Sequence, residues 1–218
     1  TAGSLKGACG CRRSCSIPSR IEVSVLKLIH LYYPLQLPIA DLAEAERLVL
    51  AIGDFDGVHI GHRRVIGRAV EVAAAHRLPA CVMTFNPHPR EVLGHSGYSR
   101  YLAPIGDKLR LFESLGVDYT FVVTFDLAFA RVSPEKFVEE MLVPLGVHTV
   151  VVGFDFTFGH KGKGTVETLR RLAEGRMNVE VVPPYLSEGE KVSSTLIREH
   201  LHLGELGPIR KYLGRYYA

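Results

Sequence analysis

Short apolar runs recur along the chain, and stretches with helical spacing separate them. Continuous apolar segments at 48–52, 80–85 and 149–152 predict strands that are buried on both faces, as parallel strands are when helices cover the sheet. Less continuous runs predict further strands at 25–33, 118–125 and 179–182. Helical spacing and capping residues predict helices at 62–76, 107–115, 133–145, 165–174, 193–203 and 208–213.

This alternation predicts an α/β domain with three layers and a mostly parallel sheet. Right-handed crossovers bring the carboxyl ends of the strands to one edge, where ligands of such sheets bind near the topological switch point. Four loops are expected at that edge, and they contain most of the unusual polar, glycine and proline residues: 53–62, 86–90, 153–164 and 187–195. The sequence therefore predicts the functional site there.

The composition is that of a globular domain, with 218 residues, 47% hydrophobic and 22% charged. No apolar run is long enough to span a membrane. The net charge of +3 is concentrated at the start of the chain, where residues 1–21 contain four basic residues and no acidic one. The remainder has 22 basic residues against 23 acidic ones, so nothing indicates a nucleic-acid surface.

Three of the four cysteines, Cys9, Cys11 and Cys15, lie in this basic start, and Cys81 lies in a predicted buried strand. The body therefore cannot form an internal disulfide, which fits a reducing cytoplasm. We expect residues 1–24 to be a disordered or non-native tail, with a transit peptide as an alternative because the segment is rich in Ser and Arg. The tail cysteines lack a fourth ligand for a zinc site.

The glycine-rich segment 53–62 reads Gly-Asp-Phe-Asp-Gly-Val-His-Ile-Gly-His. His59 and His62 stand three residues apart where a helix is predicted to begin, so both lie on one face. The first amides of a helix attract anions, and the pair therefore predicts a phosphate site. Gly57 and Gly61 are expected to leave room for a ligand. Two surface histidines or a metal pair are the alternatives, although the common zinc pair has three intervening residues and a Glu.

A second candidate site begins the predicted helix near the end of the chain. Ser193, Ser194 or Thr195 can cap this helix, which is the simplest interpretation. Three hydroxyls together with Arg198 also predict a phosphate cradle.

These two motifs together resemble those of the nucleotidylyltransferase superfamily. Two further segments, Thr84-Phe-Asn-Pro-His-Pro-Arg90 and Gly153-Phe-Asp-Phe-Thr-Phe-Gly159, resemble the FMN adenylyltransferase module of bacterial FAD synthetases. The resemblance extends over about residues 26–216 and implies a Rossmann-like nucleotidylyltransferase fold. It also implies the reaction of FMN with ATP to give FAD and pyrophosphate, with Mg²⁺ bridging the phosphates mostly through water.

The resemblance implies that the phosphates of ATP bind at two motifs, the histidine motif at 59–62 and the serine-rich motif at 193–198. It implies catalytic roles for His59, His62 and Arg198. The expected ATP-binding residues are Gly53, Phe55, Gly61, Ser194 and Thr195.

On the flavin side, the resemblance places Asn86, His88 and Arg90 beside the flavin or its phosphate. A plain turn with a capping Asn is the alternative. The alternating Phe154, Phe156 and Phe158 are expected to be divided between core packing and the isoalloxazine ring. Asp155 is expected at the ring edge, and Phe158 is taken as a flavin contact.

Two positions depart from the family pattern, since those of Asp54 and Leu196 often hold other residues. The riboflavin kinase domain of the family is not found in these 218 residues, so 25–218 is expected to be an adenylyltransferase domain alone. Two other functions stay open, transfer to a different phosphorylated acceptor and non-catalytic flavin binding. The expected partners are small molecules, with no nucleic acid or membrane.

Overall fold

Six parallel strands form the central sheet of the computed structural model, which describes residues 26–39, 42, 47–94 and 101–217. The strands are β1 (Lys27–Leu31), β2 (Leu48–Ile52), β3 (Ala80–Asn86), β4 (Tyr119–Thr124), β5 (Val147–Gly153) and β6 (Asn178–Val182). Their order in the sheet is β1-β4-β3-β2-β5-β6. A short antiparallel hairpin, β7 (Leu186–Ser187) and β8 (Glu190–Lys191), was not predicted from the sequence.

The helices cover both faces of this sheet. They are α1 (Ile60–His76), α2 (Pro89–Val92), α3 (Ile105–Ser114), α4 (Pro134–Phe137), α5 (Val166–Ala173), α6 (Ser194–Leu203) and α7 (Leu206–Leu213). Helix α4 continues into a π-helical turn at Val138–Leu142.

Strand β2 shows why the fold has three layers, because all five of its residues are buried. Leu48, Leu50 and Ile52 pack on one face with residues of α4, its π-helical turn and α5. Val49 and Ala51 pack on the other face with residues of α1 and α3. The predicted three-layer α/β fold with a parallel sheet is confirmed. Cys81 of β3 is buried, and burial raises the pKa of its thiol well above the ordinary value.

The topological switch point lies between β2 and β5. From β2 the sheet continues through β3 and β4 to one side, and through β5 and β6 to the other. The loops that leave the carboxyl ends of these two neighbouring strands therefore lead to opposite sides of the sheet, and a crevice forms between them. Helix α1 begins directly after β2, so its N-terminus lies at this crevice.

Two local predictions need correction. Helix α1 begins at Ile60 instead of 62, because His59 takes the capping position. The turn 86–90 was predicted to contain no helix, but Pro89 begins the one-turn helix α2. A proline is favourable there because the first helical amide needs no partner. The predicted tail 1–24 lies outside the described residues.

Candidate functional site

A polar cavity of about 220 Å³ opens at the switch point. It lies between the N-termini of α1 and α6 and the loop that follows β5. The hairpin of β7 and β8 contributes Lys191 to its wall. Of the predicted residues it is lined by His59, Gly61, His62, Gly153, Asp155, Ser193 and Ser194.

The two predicted histidines form one unit in this cavity. Their rings stack with centroids 3.6 Å apart and an angle of 20° between the planes. His59 caps α1, and its Nδ1 accepts a hydrogen bond from the backbone N–H of His62 at 3.3 Å. The ring of His62 also meets Phe55 edge to face, with centroids 5.4 Å apart. The capping bond and the aromatic contact hold both rings in place.

Both histidines are neutral at pH 7. Burial, followed by the positive charge of Lys191, lowers the pKa of His59 to about 4. Burial, followed by the charges of His59 and Lys108, lowers the pKa of His62 well below its ordinary value. The Nδ1 atom of His62 is buried and has no hydrogen-bond partner among the described residues. A buried ring nitrogen in this state favours a bound partner, because leaving it unpaired costs about 1–3 kcal/mol.

The low pKa of His59 predicts a loss of stability in mild acid. The unfolded chain takes up a proton near pH 6.5, whereas the folded protein resists protonation until about pH 4. The contribution of His59 to the free energy of unfolding is therefore fully present above pH 6.5. It is lost as the pH falls toward 4, by up to roughly 3 kcal/mol. Urea unfolding at pH 7, 6, 5 and 4 measures this loss.

The control for this prediction is His59→Asn, which keeps a good N-cap and removes the titration. We expect the free energy of unfolding of the variant to fall less between pH 6.5 and 4 than that of the wild type. Equal losses in the two proteins would contradict the role of His59.

Helix α6 supplies the second N-terminus of the cavity. Ser193 caps it, with Oγ accepting a hydrogen bond from the backbone N–H of Leu196 at 3.1 Å. Ser194 lines the cavity, but its hydroxyl donates to the carbonyl of Asp56 at 3.0 Å. Thr195 is exposed and does not line the cavity. The capping prediction is confirmed, whereas only two of the three hydroxyl residues lie at the cavity.

Arg198 is held by a carboxylate that the sequence did not indicate. Its guanidinium forms an ion pair with Asp56, whose side chain is 2% exposed. The same carboxylate accepts hydrogen bonds from the backbone N–H groups of Leu102 and Ala103, at 3.0 and 3.2 Å. Asp56 therefore joins the loop after β2 to α6 and to the segment before α3. Arg198 lies behind the cavity and does not line it.

The loop after β2 is strained and is held from several sides. Phe55 has φ +53° and Val58 has φ +41°, a region that a β-branched residue rarely adopts. Thr84 donates to the carbonyl of Asp54 at 2.8 Å, and Arg215 donates to the carbonyl of Gly57 at 2.9 Å. Such strain persists only when surrounding contacts over-determine the conformation, and it concentrates at functional sites.

Three glycines in the loop make room for other parts of the protein. A Cβ on Gly61 would lie 3.1 Å from the His59 ring, and one on Gly53 would lie 2.9 Å from the Phe55 ring. Gly57, with φ +78°, would meet Leu102 at 3.0 Å. We predicted that Gly57 and Gly61 leave room for a ligand, but Gly57 packs against Leu102. Gly61 also lines the cavity.

A second, apolar cavity of about 550 Å³ lies beside the ends of β3 and β4. Six of its fourteen lining residues are phenylalanines, and its size suits a large planar ligand, since small-molecule sites span roughly 300–1,000 Å³. Phe156 and Phe158 stack in its wall with centroids 5.5 Å apart. The other described aromatic residues that line it are Phe85, Phe125, Phe129 and Phe137.

The predicted residues of the Asn-Pro-His-Pro turn do not line this cavity, although Pro89 does. Asn86 and Arg90 are exposed and His88 is buried. The Nδ1 of His88 accepts from the backbone N–H of Arg90 at 3.0 Å, so its proton resides on Nε2, which contacts Asp54 Oδ2 at 2.8 Å. His88 thus caps α2 and ties the turn to the loop after β2.

Asp155 was expected at the edge of the flavin ring, and it does not line the apolar cavity. It lines the polar cavity instead and pairs with Lys191 at 2.6 Å. Phe154 also lines the polar cavity and lies under the Lys191 ammonium, which is 4.5 Å from the ring centroid. The reason is a turn in which the N–H of Phe156 bonds the carbonyl of Gly153, so Phe154 and Asp155 point away from Phe158.

The loop 153–164 is the wall that the two cavities share. Its first residues, Gly153, Phe154 and Asp155, line the polar cavity. Its later residues, including Phe156 and Phe158, line the apolar one. An anion beside the histidines and an aromatic group among the phenylalanines can therefore lie next to each other.

Known proteins resemble this chain in sequence and in structure. Residues 41–196 match a family described as FAD synthetase. A bifunctional riboflavin kinase/FMN adenylyltransferase of Listeria monocytogenes is 39% identical over 194 residues, which are 88% of this chain and 61% of the relative. The protein of that name from Bacillus subtilis is 38% identical over 88% of this chain and 60% of its own length.

Among solved structures, one titled as a macrolide-efflux protein from Streptococcus pneumoniae has a TM-score of 0.75 and 27% identity. The match covers 88% of this chain and 72% of that structure. Within the described part of our chain, no helix has the length and apolar character needed to cross a membrane.

The chain spans about three-fifths of the length of the two bifunctional relatives. The family match nevertheless includes the loop after β2, the loop 153–164 and the N-terminus of α6. These are the segments that build the polar cavity. On this match and these identities, the chain belongs to the FAD synthetase family.

Proposed function

We propose that this domain transfers AMP from ATP to FMN, forming FAD and releasing pyrophosphate. The observation that carries the proposal is the shared loop 153–164, which lines a polar cavity on one side and an aromatic cavity on the other. The polar cavity suits the polyphosphate of ATP because two helix N-termini converge there. The aromatic cavity suits the isoalloxazine ring, which would stack on phenylalanine side chains.

In this reaction the flavin phosphate attacks the α-phosphorus of ATP and pyrophosphate leaves in line. No covalent enzyme intermediate is needed, so catalysis comes from positioning and from stabilising the developing charge. Neutral His59 and His62 would donate hydrogen bonds to phosphate oxygens. Arg198 was expected to be catalytic, but it does not line the cavity, so we propose that it acts as a positioning residue that Asp56 ties to the loop after β2.

Magnesium would arrive with ATP as part of the substrate. The described residues contain no group of three metal-ligating side chains, and the polar cavity offers one carboxylate, Asp155. This donor set fits an ion that phosphate oxygens and water hold, which is the usual way that proteins bind Mg²⁺ with nucleotides. The ion would supply charge neutralisation of the polyphosphate.

We propose that the protein works in the cytoplasm, and that residues 25–218 form an adenylyltransferase domain. The buried free thiol of Cys81 supports the reducing compartment. For the domain, the support is a sheet whose faces are both covered within the described residues.

A turnover assay tests the activity directly. Purified protein is mixed with FMN, ATP and magnesium, and FAD is followed by its quenched fluorescence relative to FMN. A parallel reaction contains riboflavin instead of FMN. We expect FAD from FMN and none from riboflavin. Flavin binding without turnover would support a binding module, and the absence of both would indicate a different phosphorylated acceptor.

Filling the aromatic cavity should weaken FMN binding selectively. Thr157 is exposed and lines this cavity, so Thr157→Trp places a large ring in the space without disturbing the core. Crowding of roughly 1–3 kcal/mol predicts that the KM for FMN rises about tenfold to hundredfold. The KM for ATP should change little. Initial rates at varied FMN and ATP measure both constants.

The matched control is Lys163→Trp, an exposed position of the same loop that lines neither cavity. This control should keep the wild-type KM for FMN. If Thr157→Trp also keeps it, the aromatic cavity is not the flavin site.

A further inference from the structure

Lys108 of α3 is a buried charged residue that the proposed reaction has not used. It is 1% exposed and is among the largest fully buried side chains of the described residues. Lysine is almost never fully buried unless it is paired. Among the described residues, however, the Lys108 ammonium forms no ion pair with a carboxylate.

The neutral partners of Lys108 lie under the strained loop. Its Nζ donates to the carbonyl of Asp54 at 2.9 Å and to Thr84 Oγ1 at 3.3 Å. Thr84 donates to the same carbonyl at 2.8 Å, so two donors hold one acceptor. That carbonyl directly precedes Phe55, the first residue with positive φ. Lys108 therefore helps to fix the start of the loop.

Burying the Lys108 ammonium costs more free energy than a hydrogen bond to one carbonyl requires. The hydroxyl of Thr84 already bonds the carbonyl, and a neutral donor would avoid the desolvation of a full charge. The carboxylate of the same Asp54 faces His88, with Oδ2 and Nε2 2.8 Å apart. The ammonium of Lys108 therefore has no carboxylate in direct contact among the described residues, which suits it to a role that needs its charge.

The charge of Lys108 lies close to the polar cavity, because its Nζ binds the carbonyl of Asp54 and the ring of the next residue, Phe55, meets the ring of His62 with centroids 5.4 Å apart. It is one of the causes that lower the pKa of His62, together with burial and His59. His62 stacks on His59 in the wall of the cavity. Inside a protein a charge acts over a longer distance than in water, because little solvent lies between to screen it. A positive field at His62 also acts on any anion beside it.

We propose that Lys108 is a positioning residue for polyphosphate, whose buried ammonium holds the loop after β2 and supplies a positive charge close to the phosphate site. The inference rests on the proposed function in one respect, since it names ATP as the source of the polyphosphate. The ammonium of Lys108 attracts the negative charge of the bound polyphosphate. Lys108 itself does not touch the substrate.

The test compares Lys108→Met with Thr84→Val, and inorganic pyrophosphate is the binding probe. Both variants remove a donor from the Asp54 carbonyl, but only Lys108→Met removes the charge. Calorimetric titration should show pyrophosphate binding weakened about tenfold or more by Lys108→Met, and less than about threefold by Thr84→Val. The kcat/KM for ATP should follow the same order.

Two readouts separate this role from simple packing. Methionine has a similar length and no charge, so the melting temperature of Lys108→Met should equal or exceed that of the wild type. NMR titration should show the pKa of His62 raised in Lys108→Met and unchanged in Thr84→Val. A second variant, Lys108→Gln, keeps a neutral donor and should lose pyrophosphate affinity as Lys108→Met does.

Several results would overturn the inference. These are wild-type pyrophosphate affinity in Lys108→Met or Lys108→Gln, equal losses in Lys108→Met and Thr84→Val, and no pyrophosphate binding by the wild type. A destabilised Lys108→Met with normal affinity in Lys108→Gln would show a structural role alone. If the wild type makes no FAD but the affinity losses occur as expected, the proposed function fails and the inference on Lys108 stands.

Discussion

Replacing His62 by alanine should lower kcat/KM for FAD formation by about two to three orders of magnitude, the usual loss when one donor to a transition-state oxyanion is removed. The ring is half-buried, its pKa lies well below the ordinary value, and its Nδ1 has no hydrogen-bond partner in the described part of the chain. Its contribution is therefore made mainly to the bound phosphates. The melting temperature should stay close to that of the wild type although the turnover falls strongly. Steady-state kinetics and thermal unfolding of the same preparation provide the measurement.

His76→Ala is the matched control for this prediction. It removes an exposed histidine from the other end of α1, far along the helix from the cavity. Turnover of His76→Ala should stay near the wild-type value. A parallel loss of turnover and stability in His62→Ala would remove His62 from the proposed catalytic group and leave it as a packing residue.

Replacing Asp56 by alanine should lower the free energy of unfolding by roughly 3–5 kcal/mol, the usual effect of removing one member of a buried ion pair. The change leaves the Arg198 guanidinium without its carboxylate and removes the acceptor of two backbone N–H groups, those of Leu102 and Ala103. Urea unfolding measures the loss. The KM for ATP should also rise, because the loop after β2 and α6 are no longer tied together.

Two comparisons make this result interpretable. Glu139→Ala removes one member of a solvent-exposed ion pair with Arg176 and should cost less than about 1 kcal/mol. The double variant Asp56→Ala/Arg198→Met should be less destabilised than the sum of its single variants, since no uncompensated cation remains. Strict additivity would show that the two side chains do not interact in solution.

Local signals in the sequence predicted the elements that frame the site. The apolar run 48–52 and the histidine motif after it identified β2 and the start of α1, because burial and capping are decided by neighbouring residues. The Ser193 cap was found for the same reason. Capping hydrogen bonds join residues two or three positions apart, so they are visible in a short window of sequence.

Asp56 and Lys108 were missed because their partners are distant in sequence. Asp56 lies within the glycine-rich motif, but the N–H groups that it binds are 46 and 47 residues away. Lys108 contacts a carbonyl 54 residues away. Its sequence context is an ordinary amphipathic helix, in which a lysine is expected at the surface. Such pairings become predictable only when the strand order is known.

The cavity that Asp155 lines could not be predicted from the sequence, for a different reason. Alternating Phe residues suggested an extended segment with one apolar face and one polar face. The chain instead turns after Gly153, so neighbouring residues of one loop enter different cavities. Similarly, the aromatic wall is collected from β3, the segment after β4, α4 and the loop 153–164, which no local pattern reveals.

Residues near the end of the chain hold the loop after β2 in place, so the order in which the protein folds affects this loop. Three of its contacts, from Ser194, Arg198 and Arg215, join residues 138, 142 and 158 positions apart. Such long chain closures are entropically costly and tend to form late, after the local helices and neighbouring strands. The sheet and α1 can therefore be complete while the strained loop is still open. Amide hydrogens near Phe55 and Val58 should accordingly gain protection last during refolding, and the binding site should mature only when the end of the chain has docked.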